Sequence, residues 1–210
     1  SFSKKDLEVE FLQLQEPSFR ARQVYEWLWK KSAFTFDEMT SLSLALREKL
    51  SANFTINHIK EYTTQISADG TIKSAFKLFD NHLIEGVLIP TEERATACVS
   101  SQVGCSLSCK FCATGYMDRA RNLNPDEIYD QVVLLNQQAI KNQGKPLTNI
   151  VFMGMGEPLL NYKNVIESIA KITSPEGLNI ASRRITVSTA GIAKMIKRLG
   201  DEKVKFNLAL

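Results

Sequence analysis

The chain has 210 residues, 44% of them hydrophobic and 23% charged, an ordinary globular composition that excludes collagen-like, disordered and mini-protein scaffolds. Its net charge of +3, from 26 basic and 23 acidic side chains, neither demands nor excludes a nucleic-acid partner. No apolar run approaches the roughly 20 residues that span a bilayer, and residues 1–10 are too polar for a signal peptide, so no membrane partner is expected.

In chain order, residues 19–31 carry Phe19, Val24, Trp27 and Leu28 near one face and predict a helix. A second helix is predicted over 42–50 with Ser41 as its N-cap, so a small helical domain should end near Asn53. From Ile56 to Pro90 the period becomes two. Strands are expected at 59–66, 72–79 and 83–89, joined by turns at 67–70 and 80–81, which makes an antiparallel meander. Residues 95–210 then alternate: strands at 95–100, 149–153, 184–189 and 204–210, helices at 125–141, 162–172 and 192–199. That order implies parallel βα units and an α/β fold class. Four parallel strands do not close a barrel, and the last runs to the final residue uncovered, so the expectation is a piece of a longer protein.

All four cysteines fall between Cys98 and Cys112. Such crowding argues for a metal site in a reducing cytoplasm rather than a disulfide framework. Cys105, Cys109 and Cys112 form C-x3-C-x2-C directly after a strand. Thiolates select zinc, cuprous copper or iron–sulfur. Three of them can hold three irons of a cubane and leave the fourth open for a small molecule; alternatively, with Cys98 as fourth ligand, they make a structural zinc site. A second element, Gly154-Met-Gly-Glu-Pro158, follows a strand, and in α/β proteins ligands bind at that edge. Its glycines admit close backbone approach, and Glu157 can receive an amino group. Taken alone, that segment reads equally well as a tight turn with a solvated Glu157.

C-x3-C-x2-C with Phe111 before its last cysteine resembles the radical-SAM signature. The segments 95–105, 121–123, 153–161 and 184–191 narrow the resemblance to the RlmN/Cfr family of radical-SAM RNA adenine methyltransferases, over residues 19–210. Pro90 and Pro158 place it nearer RlmN. The resemblance implies the N-terminal part of a radical-SAM partial (β/α)6 barrel, preceded by a small helical domain (1–53) and an antiparallel β connector (54–94), with the core at 95–210. It implies a [4Fe–4S] cluster on Cys105, Cys109 and Cys112, and S-adenosylmethionine held by Gly156, Glu157 and Ser188. Glu85 is implied as proton acceptor, and Cys98 as one half of a transient disulfide with a methyl-carrying cysteine near the C-terminus. The implied substrates are C2 of an adenosine in 23S rRNA, and tRNA; the implied reductant is a donor such as flavodoxin. No cysteine follows Cys112, so the chain by itself is expected to be inactive. Without the family, Glu85 is a carboxylate on a half-exposed strand and Ser188 an ordinary strand-end serine. Two other readings stay open: a different radical-SAM enzyme, such as one methylating C8 in the Cfr manner, and a non-enzymatic zinc-binding RNA module. Basic side chains that could position phosphates are Arg20, Arg22, Lys30 and Lys31 around the tryptophans, and Arg119, Arg121, Arg183 and Arg184 further on.

Overall fold

The structure, a computed structural model, describes residues 3–210; Ser1 and Phe2, part of the expected helical domain, lie outside the described residues. Three helices come first: α1 (Lys4–Gln13), α2 (Ser18–Trp29) and α3 (Leu44–Asn53). The unpredicted α1 begins with a capping box in which Ser3 Oγ accepts from the Asp6 N–H and Asp6 accepts from the Ser3 N–H. The α3 cap is Ser43, whose hydroxyl accepts from the Leu46 N–H at 3.3 Å, and not Ser41. Ser41 instead accepts from Trp27 Nε1 at 2.8 Å, while Leu42 is buried ahead of the helix. Leu7, Phe11, Val24, Met39, Leu46 and Leu50 form the bundle's own core. Of the two tryptophans, Trp29 turns away from that core: its ring meets Tyr129 edge-on at 5.0 Å, and its carbonyl accepts from the Tyr129 hydroxyl.

The strands are β1 (Lys60–Ile66), β2 (Ile72–Lys77), β3 (Leu83–Pro90), β4 (Ala95–Cys98), β5 (Gln102–Val103), β6 (Arg121–Asn122), β7 (Asn149–Phe152), β8 (Ile185–Ser188) and β9 (Asn207–Ala209). Helices α4 (Pro125–Gln143), α5 (Tyr162–Thr173) and α6 (Ala193–Asp201) alternate with the later ones. One seven-stranded sheet runs β1-β2-β3-β4-β7-β8-β9, its first three joints antiparallel and its last three parallel. The meander is thus hydrogen-bonded into the parallel sheet through β3 and β4. The short β5 and β6, which are too brief to show a period in sequence, pair separately and frame the base of the cysteine loop.

Alternation along β2, β3, β4, β7 and β8 buries one face. Ile84, Leu88, Ala97, Ile150, Phe152 and Val187 share a core with Ile128, Val132 and Leu135 of α4 and Val165 and Ile169 of α5. Burying each of the valine, leucine, isoleucine and phenylalanine side chains among them contributes roughly 1.5–3 kcal/mol. The α4 boundaries follow from its ends: an Asn124/Glu127 capping box with Pro125 in the first turn, and Gly144 in the left-handed conformation at φ 68°. The opposite sheet face stays half-open, and one register row across it reads Lys73, Val87, Cys98, Val151, Thr186, Asn207. Because neighbouring strands of the meander reverse, Lys60, Lys77 and Leu83 lie at the same sheet edge as the C-terminal ends of β4, β7 and β8. Among the described residues, no helix is long and apolar enough to cross a membrane.

Candidate active site at the sheet edge

The segment after β7 is fastened to the segment after β4. Gly154 N–H donates to Val99 O at 3.1 Å, and the N–H groups of Ser101 and Gln102 both reach Met155 O, at 2.8 and 3.1 Å. The Ser100 hydroxyl donates to Glu85 O at 2.6 Å and accepts from Met155 N–H at 2.9 Å. Glycine is required in this crossing. A Cβ on Gly154 would stand 2.7 Å from Ser100 Oγ, and one on Gly156, at φ 92°, would stand 2.4 Å from Gln102 Cβ.

Glu157 is not solvated: it is 4% exposed. Its Oε1 accepts from Leu159 N–H and its Oε2 from Ala190 N–H, both at 2.9 Å, and its own N–H donates to Gln102 Oε1 at 2.9 Å. The carboxylate therefore joins the turn after β7 to the turn after β8, where Ser188 ends its strand. Each oxygen keeps acceptor capacity beyond its one backbone donor.

The cysteine loop leaves β5 through Gly104, at φ 72°, and returns to β6. Its backbone turns on itself: Cys105 N–H donates to Met117 O, Cys112 N–H to Cys109 O, and Gly115 N–H to Cys112 O. One cavity of about 460 Å³ is lined by Cys105, Cys109 and Cys112 together with Gly156, Glu157 and Ser188, a size suited to a small-molecule cofactor. Among the described residues, no three His, Cys, Asp or Glu side chains gather as ligands of a single ion. Three thiols lining one cavity from one loop are a donor set that could hold three irons of an iron–sulfur cluster.

The other two expected residues lie outside this cavity. Cys98 sits on the open sheet face beside Val87 and Val151 and is not among the residues lining the cavity with the loop cysteines. Burial pushes its thiol pKa up, partly opposed by the Met153 N–H donating to sulfur. All four cysteines are free, so the transient disulfide expected of Cys98 has no partner bonded to it within this chain. Glu85 shares the open face with Cys98 on the adjoining strand and pairs with Lys73 Nζ at 2.7 Å.

Several supporting residues carried no local sequence signal. Gln102, fully buried, links Glu157 N–H to Asn122, to which its Nε2 donates at 2.7 Å. Asn161 Nδ2 donates to Ser101 O and Leu123 O, each at 2.8 Å. Gln131 of α4 accepts from Ser100 N–H at 2.8 Å. Arg121, expected among the phosphate-positioning side chains, is committed elsewhere: it grips buried Glu127 with two bonds of 2.8 and 2.7 Å and Asp80 with one of 2.6 Å. Arg121 holds the Asp80 carboxyl down at about 2. Arg183 and Arg184 precede β8 and lie at the edge away from the cavity.

Comparison with known proteins agrees with this arrangement. The model of the radical SAM superfamily matches residues 99–210, and that of the ribosomal RNA large subunit methyltransferase N-terminal domain, RlmN_N, matches residues 1–56. A Cytophaga hutchinsonii protein named as a probable dual-specificity RNA methyltransferase RlmN is 64% identical over all of this chain, which covers 58% of that protein. One of the same name from Christiangramia forsetii is 56% identical, with 60% of its length covered. The chain thus spans about three fifths of the length of these relatives. The crystal structure of a radical SAM methyltransferase from Sphaerobacter thermophilus superposes with a TM-score of 0.89 at 39% identity, over 99% of this chain and 61% of that one. With three thiols and a buried carboxylate around one cavity at the strand ends, the chain belongs to the radical SAM superfamily.

Proposed function

We propose that the chain serves a cytoplasmic radical-SAM methyltransferase that methylates C2 of an adenosine in 23S rRNA and in tRNA. The observation that carries this reading is the single cavity shared by Cys105, Cys109, Cys112, Gly156, Glu157 and Ser188. A [4Fe–4S] cluster on the three thiolates would supply the electron, received from a donor such as flavodoxin, that cleaves S-adenosylmethionine. Glu157, fixed by two backbone donors, offers its remaining lone pairs to the amino group of that cofactor. Gly156 and Ser188 complete the cradle, the glycine because any side chain there meets Gln102.

On the open face, Glu85 would accept the proton lost from the adenine, and Cys98 would attack the sulfur of the methyl-carrying cysteine, breaking its bond to the transferred carbon, which leaves with a proton as the product methyl group; the disulfide so formed is reopened by an external dithiol reductant. Burial raises the Cys98 thiol pKa, which disfavours the thiolate. The methyl-carrying partner is not among the cysteines of this chain, so methyl transfer requires a protein that includes it. The test is anaerobic iron and sulfide analysis with an absorption spectrum, on the chain and on Cys109→Ala in parallel. About four irons per chain, lost in the variant, is the expected result; stoichiometric zinc instead would overturn the radical reading. In a protein that includes the further cysteine, labelled methyl recovered at C2 of adenosine, rather than C8, in 23S rRNA and tRNA tests the substrate assignment.

A further inference from the structure

Lys60 opens β1 and Lys77 closes β2, and the register sets them directly opposite each other. Alternation places both on the open face: Lys77 also opposes Leu83, which lies on the same side of β3 as Glu85 and Val87. Both lysines are exposed, and neither forms an ion pair among the described residues. Like charges directly opposite across an antiparallel pair destabilise it. The fold gains nothing from this placement. Lys73, on the same face of β2, is treated differently, since Glu85 neutralises it at 2.7 Å. A local rule broken without compensation inside the fold marks a place where something else supplies the compensation.

The position of the pair says what that is. The lysines stand at the sheet edge that carries the cysteine loop and Glu157. Lys73 shares its register row with Val87 and Cys98. Lys77, four residues further along β2, is therefore about 13 Å from that row along the strands and two strands, about 10 Å, from β4. Cβ atoms of a directly opposite pair lie about 5 Å apart, close enough for two ammonium groups to hold one phosphate. We propose that Lys60 and Lys77 form a phosphate clamp that positions the backbone of the RNA whose adenosine is presented to the open face near Cys98. The clamp rests on the RNA reading given above and adds to it a specific contact. Such a contact fixes register and carries no base information, so it serves a ribosomal and a transfer RNA alike.

The experiment is anisotropy of a fluorescein-labelled RNA hairpin with an unpaired adenosine, titrated with the chain over a range of salt concentrations. Lys60→Gln/Lys77→Gln is compared with the parent and with Lys145→Gln. Lys145 is a charge-matched control, because its Nζ serves Thr91 O and Glu92 O at the opposite sheet edge. The double variant is expected to bind about tenfold more weakly at low salt, with a log–log salt slope shallower by about 1 to 2. Its melting temperature should hold or rise, since a repulsion has been removed, while Lys145→Gln binds RNA as the parent does. Equal affinity and slope in the double variant and a parent that binds RNA would overturn the clamp and leave the RNA reading intact. A parent with no salt-dependent affinity for the hairpin overturns both.

Discussion

Two loops meet in the cavity, and they are held in opposite ways. The turn at residues 154–157 is tied to its neighbours through Val99, Ser100, Ser101 and Gln102 on one side and Ala190 on the other. The cysteine loop bonds mainly to itself, and it leaves Phe111 94% and Tyr116 81% exposed. The difference teaches which half of the site the protein builds alone. Protein atoms preorganise the cradle for a small molecule, whereas the loop is left for its bound ligand to organise.

The sharpest separation comes from Cys109→Ala. This variant should lose its iron entirely, yet, stripped of iron, it should match the stripped parent in urea to within about 0.5 kcal/mol. A variant that unfolds instead would show the loop to be as integral as the turn. Arg121→Ala should do the reverse, destabilising the iron-free chain by about 3 kcal/mol, because Glu127 would be left buried without its cation. A denaturation curve that stays put would remove Arg121 from the framework beneath the turn.

The helix that carries Glu127 and Gln131 also carries half-buried Asp130, whose carboxyl is pushed up to about 7, chiefly by loss of water, with the Ile59 N–H opposing and Asp126 and Glu127 adding repulsion. Its folded pKa lies above the ordinary 3.8, so the stability it contributes is full below that value and drains away as pH rises toward 7. Urea unfolding should therefore show a loss of roughly 2 kcal/mol between about pH 5 and pH 7. Asp130→Asn should flatten that slope; a slope unchanged in the variant would place its origin elsewhere. The smallest effect is expected of Asn161→Ala, about 1–2 kcal/mol, since Ser101 O and Leu123 O each retain another donor. Calorimetry would measure it, and a loss above that of Arg121→Ala would reverse the ranking of the two supports.

The parallel half of the fold is legible in sequence, because strand and helix periods alternate cleanly after residue 94 and the cysteine and glycine motifs are local. What is hidden has physical reasons. Helix α1 buries only Leu7 and Phe11 of its ten residues, too few for a periodic stripe. Ser41 and Ser43 are equally good caps in composition, and only the burial of Leu42 between them selects the second. A period of two reveals that a strand has one buried face but not which strand it pairs with, so the continuity of β3 with β4 cannot be read. The support of the candidate site is hidden for the same reason: Gln102 reaches Glu157 and Asn161 reaches Ser101 across more than fifty residues. Arg121 in isolation looks like any surface cation, because Glu127 and Asp80 meet it only in the fold.

Ser100 holds four parts of the molecule at once: its hydroxyl takes in the β3 carbonyl of Glu85 and the amide of Met155, while its own backbone sits at the end of β4 and donates to Gln131 of α4. A single oxygen thus works as a rivet through overlapping plates. Removing that hydroxyl would unfasten the antiparallel wing and the floor of the cavity together, because the Glu85 carbonyl and the Met155 amide meet at the same atom.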